Sequence, residues 1–323
     1  MHSSLRIGFS EVDLTPDRPV RLAGQFAERV SEFVETPVTA TAMAVECGAD
    51  QAVLCSCDLV SVSPDLLAAV RERLGGDCDG LDPARVILCA THTHTSLLYQ
   101  RNSENRSLAV LRRFLPEGLR YVEHARAADN VLSPDEARAL LVERIAAAVA
   151  GAWRARAPAF VANAFGRAAV GLNRRAVFSD GSAAMWGDTN QAAFEHLEGG
   201  NDSGIELLYV FDGQRRLAGV AVNVACPAQC VQHRRFISSD YWGEVRRLLR
   251  ERFGEDLRVL ALCGAAGDQC PVDLIRWVEP ESPVDDPNIE RPHPLHRKAD
   301  PSMFDLAGKA RAGRRIAREI LDV

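Results

Sequence analysis

Two histidines one residue apart, His92 and His94, lie in the stretch Ala90-Thr-His-Thr-His-Thr-Ser96. On an extended chain residues i and i+2 share a face, so both imidazoles should leave the backbone side by side, among the hydroxyls of Thr91, Thr93 and Thr95. Imidazole is the commonest metal ligand and the usual acid or base near neutral pH. The bland alternative is a pair that only hydrogen-bonds to backbone. Three further polar clusters follow apolar runs. Gly171-Leu-Asn-Arg-Arg175 offers a guanidinium that could clamp a carboxylate or meet developing negative charge, or simply sit at the surface. Asn223-Val-Ala-Cys-Pro-Ala-Gln-Cys230 carries Cys226, and His233 follows. A thiolate beside two imidazoles would make a zinc-type ligand set, and a buried structural cysteine is the other reading. Gly264-Ala-Ala-Gly-Asp268 lacks the Gly-Lys-Ser/Thr ending of a nucleotide loop, so Asp268 either supports a ligand from behind or caps a turn. Asp58, His196 and Asp240 complete the candidates.

Elements must position these groups. Val86–Ala90 is a short apolar run that predicts a buried strand ending at the His pair. Val38–Cys47 and Ala52–Cys57 should pair across Gly48-Ala-Asp50, and Ser63-Pro-Asp-Leu66 caps a helix to Leu74. Residues 38–96 therefore form one expected α/β unit. Arg101–Asn130 suggests a loop and a helix. Ser133-Pro-Asp-Glu136 is a capping-box pattern for a helix to about Arg154. Strands are expected over Phe160–Val170, Ala176–Met185, Ile205–Phe211, Ala218–Ala225 and Leu257–Cys263. Helices should cover Ser238–Phe253 and Phe304–Leu321, with a proline-rich linker at Glu279–Pro294. No internal repeat is visible. The fold class expected is mixed α/β, with central mixed β-sheets flanked by helices.

A chain of 323 residues can bury a large core. Its net charge of −6 offers no basic excess for phosphates, which argues against a nucleic-acid partner. No apolar run is long enough to span a membrane. The start, Met1-His-Ser-Ser-Leu-Arg-Ile7, lacks the basic and apolar regions of a signal peptide. Nine cysteines lie largely inside apolar runs, without zinc-ribbon spacing, as reduced thiols do. A cytoplasmic location is the expectation; nothing fixes the oligomeric state.

Taken together and in order, several motifs resemble the neutral/alkaline (non-lysosomal) ceramidase family of zinc-dependent amidases. They are Asp13-Leu-Thr-Pro16, Cys57-Asp58-Leu59, Ala90-Thr-His-Thr-His94, Asn173-Arg174, Ile237-Ser-Ser-Asp240 and Gly264-Ala-Ala-Gly-Asp268. The resemblance spans nearly the whole chain. It implies a mixed α/β metallohydrolase core over 1–323, of the family's N-terminal catalytic type, acting on an N-acyl, ceramide-like amide with one zinc ion. It implies His92 as a zinc ligand, His94 as a contact to the substrate carbonyl or its oxyanion, and Arg174, with Asn173, beside the substrate.

Two departures stand out. Cys226-Pro227 occupies a position where the family has His-Pro, and the family's glutamate and tyrosine ligands come from a region beyond residue 323. His92 and Cys226 supply two ligands where a catalytic zinc takes three. His94, His196, His233, Asp58 and Asp268 are the candidates for a third, with Asp240 nearby as support. His92, His94 and Cys226 are expected to converge at one edge of one sheet. The last helix carries an apolar face (Leu306, Ile316, Ile320) with no later sequence to cover it, which suggests the N-terminal part of a longer architecture or a shortened, open variant. Two alternatives remain: a metal- or ligand-binding relative with an incomplete site, or a hydrolase with Cys226 as nucleophile and His233 as base.

Overall fold

The apolar runs of the first half fold as the alternation predicts, into an antiparallel meander. In the computed structural model, which describes residues 5–25, 28–75, 78–100, 130–278, 298–300 and 303–323, strands β1 (Arg6–Asp13), β3 (Thr39–Cys47) and β4 (Asp50–Cys57) make up that meander. Gly48 turns the chain between β3 and β4 at φ 63°, a conformation glycine adopts without a Cβ penalty. Helix α1 (Pro64–Leu74) crosses over, with the Ser63 side chain accepting from Leu66 N, and β5 (Val86–Ala90) returns parallel to β4. Helix α2 (Pro134–Arg154) follows behind the capping box of Ser133 and Glu136. The short β6 (Ala157–Pro158) then pairs with β1, giving the order β5-β4-β3-β1-β6.

The second half repeats this plan. Strands β7 (Phe160–Arg167), β12 (Gly204–Phe211) and β13 (Leu217–Val224) form another antiparallel meander. Helix α3 (Tyr241–Phe253) crosses over, β15 (Arg258–Cys263) runs parallel to β13, and α4 (Asp305–Asp322) follows. Between β7 and β12 lie β8 (Leu172–Asn173) and a small sheet of β9 (Arg175–Phe178), β10 (Ala183–Met185) and β11 (Phe194–Leu197). Minor pairs complete the set: β14 (Phe236–Ile237) with β2 (Phe33–Val34), β16 (Gln269–Cys270) with β8, and β17 (Asp273–Val278) with β18 (Lys298–Asp300). The repeat is one of topology and leaves no trace in the residue pattern. The expected elements at 101–129 and 279–294 lie outside the described residues.

Four layers result. α1 and α2 cover one face of the first sheet over a core that includes Ala40, Ala42, Ala44, Leu66, Leu141 and Ile145. The small side chains of β3 let α2 come close, and Gly8 on β1 serves the same end, since a Cβ there would lie 2.3 Å from the Ala152 carbonyl. α3 and α4 cover the second sheet. The two inner faces meet through Ile7, Met43, Val210, Ala221 and Leu260. The expectation that the last helix lacks a partner is corrected here: Ile316 and Ile320 are buried in the second core, and Leu306, 42% exposed, is not part of that face. Among the described residues no helix is long and apolar enough to cross a membrane.

One buried ion pair ties the halves together. Asp58, just beyond β4, receives Arg246 of α3 through two nitrogens at 2.7 and 3.1 Å. The same carboxylate accepts from Thr39 N at 2.9 Å and from the hydroxyls of Thr39 and Thr91 at 3.1 and 3.2 Å. Removing one partner would leave a buried charge uncompensated. Arg246→Met should therefore lower unfolding free energy in urea by about 3–5 kcal/mol, while Arg246→Met with Asp58→Leu should recover part of the loss; a single variant costing under about 1 kcal/mol would deny the pair this role.

Candidate active site

The C-terminal ends of β4, β5, β13 and β15 face one end of the sandwich, where open α/β sheets hold their ligands. The His pair leaves the first sheet and Cys226 leaves the second, so the expected common edge of one sheet is instead a junction between two. That junction is stitched locally: Ala228 N donates to Thr91 O at 3.3 Å, and the Ser56 hydroxyl donates to Ala261 O.

The two imidazoles do meet, but not by simple extension. Thr91 N and Thr93 N donate to Cys57 O and Leu59 O at 3.0 and 3.1 Å, while His92 between them adopts φ 60°. A left-handed conformation at a histidine is strained by about 1–3 kcal/mol and is held by its surroundings. Here the threonines do the holding. Thr91 hydrogen-bonds to Thr93 at 2.7 Å, and Thr95 donates to Ser238 O at 3.0 Å, so the hydroxyls anchor the loop instead of lining a cavity. His92 Nδ1 lies 2.7 Å from Val60 O, which fixes that proton and leaves Nε2 unprotonated. His94 Nε2 stands 3.1 Å from His92 Nε2, with the rings edge to face at 4.7 Å.

His94 is almost fully enclosed, at 7% exposure. Gly24, at φ 95°, lies against its ring, and a Cβ there would fall 2.4 Å from His94 Cγ. Arg29 donates to His94 O and Ala23 O, each at 2.7 Å, and to Arg234 O at 2.8 Å, which binds three loops together. The Gln229 amide is 2.7 Å from His94 Nε2. Burial pushes the His94 pKa well below the usual imidazole value, helped by His92 and by the charges of Arg29 and Arg174. Burial also lowers His92, opposed by its bond to Val60 and assisted by Arg174. The charge of Arg174 thus bears on both rings. Its backbone N donates to Asp268 O at 2.8 Å and its guanidinium to Gly267 O at 2.7 Å, while Asn173 donates to Asp268 Oδ2 at 2.7 Å. Asn173 and Asp268 therefore form a brace that positions Arg174.

The other candidates are placed as follows. Cys226 is buried, with Sγ 3.4 Å from Pro227 O. Burial raises its thiol well above the ordinary range, reinforced by Cys270, Cys263 and Asp240 and opposed by Arg174. It would have to lose its proton to ligate a metal or attack a carbonyl. His233 turns to Asp305, 3.8 Å away, and stacks on Phe304 at 5.1 Å. His196 is exposed on β11. Asp240 caps α3 and pins the loop after Cys226, accepting from Tyr241 N at 2.7 Å and Val231 N at 2.9 Å. Gln229, Arg29 and Gly24 are the site residues the sequence did not single out. Gln229 lies in the same Cys226–Cys230 stretch, and nothing in its residue type marks it. For a metal, His92 fits one ligand position, because its Nδ1–H is locked and its Nε2 is unprotonated, facing His94 Nε2. Among the described residues no group of three or more His, Cys, Asp or Glu side chains is arranged to hold an ion.

No protein-family model matches the chain, and no curated protein matches it. Solved structures do share its fold. One, a neutral ceramidase from Pseudomonas aeruginosa, aligns at TM-score 0.69 and 16% identity over 99% of this chain and 45% of its own. A second, a ceramidase complexed with C2, aligns at TM-score 0.68 and 15% identity over 99% of this chain and 44% of its own. The chain thus spans less than half the length of either, and at this identity the similarity establishes the mixed α/β fold.

The depressed imidazoles carry a signed pH dependence. A histidine whose folded pKa lies below its unfolded value of 6.5 releases its proton on folding, so its contribution is complete above 6.5 and is lost as pH falls toward the folded value. Asp240, raised by burial to about 6, acts with the opposite sign between 3.8 and about 6. Comparing wild type with His94→Gln cancels the Asp240 contribution. Between pH 7.5 and 6 the wild type should lose unfolding free energy more steeply than the variant; parallel curves would contradict the buried, neutral assignment.

Proposed function

We propose that this chain carries the histidine and arginine machinery of a zinc-dependent amidohydrolase that cleaves an N-acyl, ceramide-like amide to a carboxylic acid and an amine. The observation that carries this reading is the His92–His94 pair, whose Nε2 atoms meet at 3.1 Å; the charge of Arg174 lowers the pKa of both. The fold shared with two ceramidases supports it. His92 Nε2 would hold the zinc, and Cys226 would join only as a thiolate. Zinc, when bound, polarises a carbonyl and brings the pKa of a water close to neutral.

The chain's own residues supply the rest. His94, kept neutral by burial, presents an imidazole N–H, and Arg174 a fixed cation, toward the oxygen on which negative charge develops. Each such donor is worth about 3–4 kcal/mol, or roughly 10²–10³ in rate. The brace of Asn173 and Asp268, with Gly267 O accepting from the guanidinium, fixes where Arg174 sits. Enclosure of His94 by Gly24 and Arg29 excludes water from its far side, which strengthens these interactions.

A second reading, a relative that binds metal or ligand without turnover, is favoured by the absence of a three-donor cluster among the described residues. The third, Cys226 as nucleophile, is poorly served by a buried thiol and by a His233 engaged with Asp305. Zinc titration of the protein with a panel of N-acyl amides separates them. Stoichiometric zinc with turnover is expected, lost together in His92→Ala. Arg174→Ala should keep zinc and lose roughly 10²–10³ in kcat. Stoichiometric zinc without turnover would select the second reading, and turnover blocked by iodoacetamide but not by chelators the third.

A further inference from the structure

The second sheet ends in an edge strand without the usual protection. β7 pairs with β12 on one side, and no strand among the described residues pairs with its other side. A free edge is a template for another strand, and charges, prolines or bulges normally blunt it. Phe160-Val-Ala-Asn-Ala-Phe-Gly166 holds no charge and no proline, and its register against β12 is unbroken. Phe160, Val161 and Phe165 are 50%, 44% and 55% exposed. Hydrogen bonds fix which of these residues face outward. Ala168 N donates to Ser203 O at 2.9 Å, on the β12 side, whereas Arg167 N donates to the Glu319 carboxylate at 2.7 Å. Direction alternates along an antiparallel ladder. Phe160, Ala162, Ala164 and Gly166 therefore bond to β12, while Val161, Asn163 and Phe165 aim N–H and C=O away from it.

We propose that two copies of this chain dimerise through β7, antiparallel about a two-fold axis at Asn163, and so join their second sheets into one. The open stretch is complementary to itself in that register. Val161 meets Phe165 of the other copy, Ala162 meets Ala164, and Phe160 stands beside Gly166, which has no side chain. Every outward N–H and C=O of Val161, Asn163 and Phe165 gains a partner. Neighbouring registers fail on the backbone. Shifting the axis by one residue pairs Phe165 with Ala159 or Val161 with Arg167. The N–H groups of Ala159 and Arg167 are already given to Leu5 O and Glu319. Pairing consumes this edge in both copies, so the two-fold contact closes at a dimer. A ladder this short buries less than a standard interface, which makes the dimer weak and reversible. Nothing in the contact depends on the amidase reading.

Sedimentation velocity of the full chain, from low to high micromolar concentration, tests both the dimer and its register. The wild type should pass reversibly from monomer to dimer. Val161→Lys with Phe165→Lys sets like charges opposite each other and should stay monomeric throughout. Val161→Lys with Phe165→Glu sets opposite charges there and should regain the dimer at low salt, less so at high salt. Both side chains are half-exposed, so circular dichroism and melting temperature should match the wild type. Asn163→Pro removes an outward donor, leaves the β12 ladder intact and gives a second route to the monomer. A wild type that is monomeric at every concentration would overturn the proposal. So would a dimer that survives the double-lysine variant or Asn163→Pro, since another surface would then hold it. A lysine–glutamate variant no more dimeric than the double-lysine one would overturn it as well, because the paired positions would be wrong.

Discussion

A carboxylate without water needs partners, and Asp58 recruits them from both halves of the molecule. Its partners are the backbone and hydroxyl of Thr39, the hydroxyl of Thr91 and the guanidinium of Arg246. β3, the start of the His loop and α3 are thereby held at fixed distances from one point. Apolar packing between the sheets is non-directional and tolerates sliding. The ion pair does not. It sets the strand ends in register, and through Thr91 it fixes the first residue of the loop that places His92 in its strained conformation.

The repeated topology explains why the polar motifs lie far apart in sequence and close in space. Each half turns an antiparallel meander into a parallel pair by one helical crossover, and the ends of that pair are where the backbone runs out of ladder partners. In the first half they give Asp58 and the His loop; in the second, the Cys226–Cys230 loop and the Gly264–Asp268 turn. Facing the two sheets brings these four ends to one junction. Burial there gives histidines that stay neutral, a thiol that stays protonated and an arginine held by backbone carbonyls. Such a site favours preorganised hydrogen-bond donors over mobile charge.

Much of this was legible in the sequence where a local signal existed. Ser133 and Glu136 spell a capping box that is formed, and the β-branched run before Thr91 is a strand. The polar clusters after apolar runs proved to be the strand ends that build the junction. Three things were not legible, each for a physical reason. The His pair was expected to follow from extended geometry, whereas it depends on a left-handed φ imposed by threonine contacts distant in sequence. Ile316 and Ile320 looked unpartnered because their partner, α3, lies across the linker region and only topology brings it near. Gln229 carries no signature because an amide becomes part of a site only through the ring it touches. The two-sheet arrangement escaped for the same reason: it repeats connections, not residues.

The central proposal is that His92 Nε2 would hold a metal while His94 and Arg174 would serve as donors around it. Anomalous diffraction at the zinc edge from crystals grown with zinc tests this most directly. The account predicts a peak at about 2.0–2.1 Å from His92 Nε2, with His94 Nε2 outside bonding distance and still against Gln229. A zinc bound by other residues away from His92, or one coordinated by His94 with His92 left on Val60 alone, would contradict it.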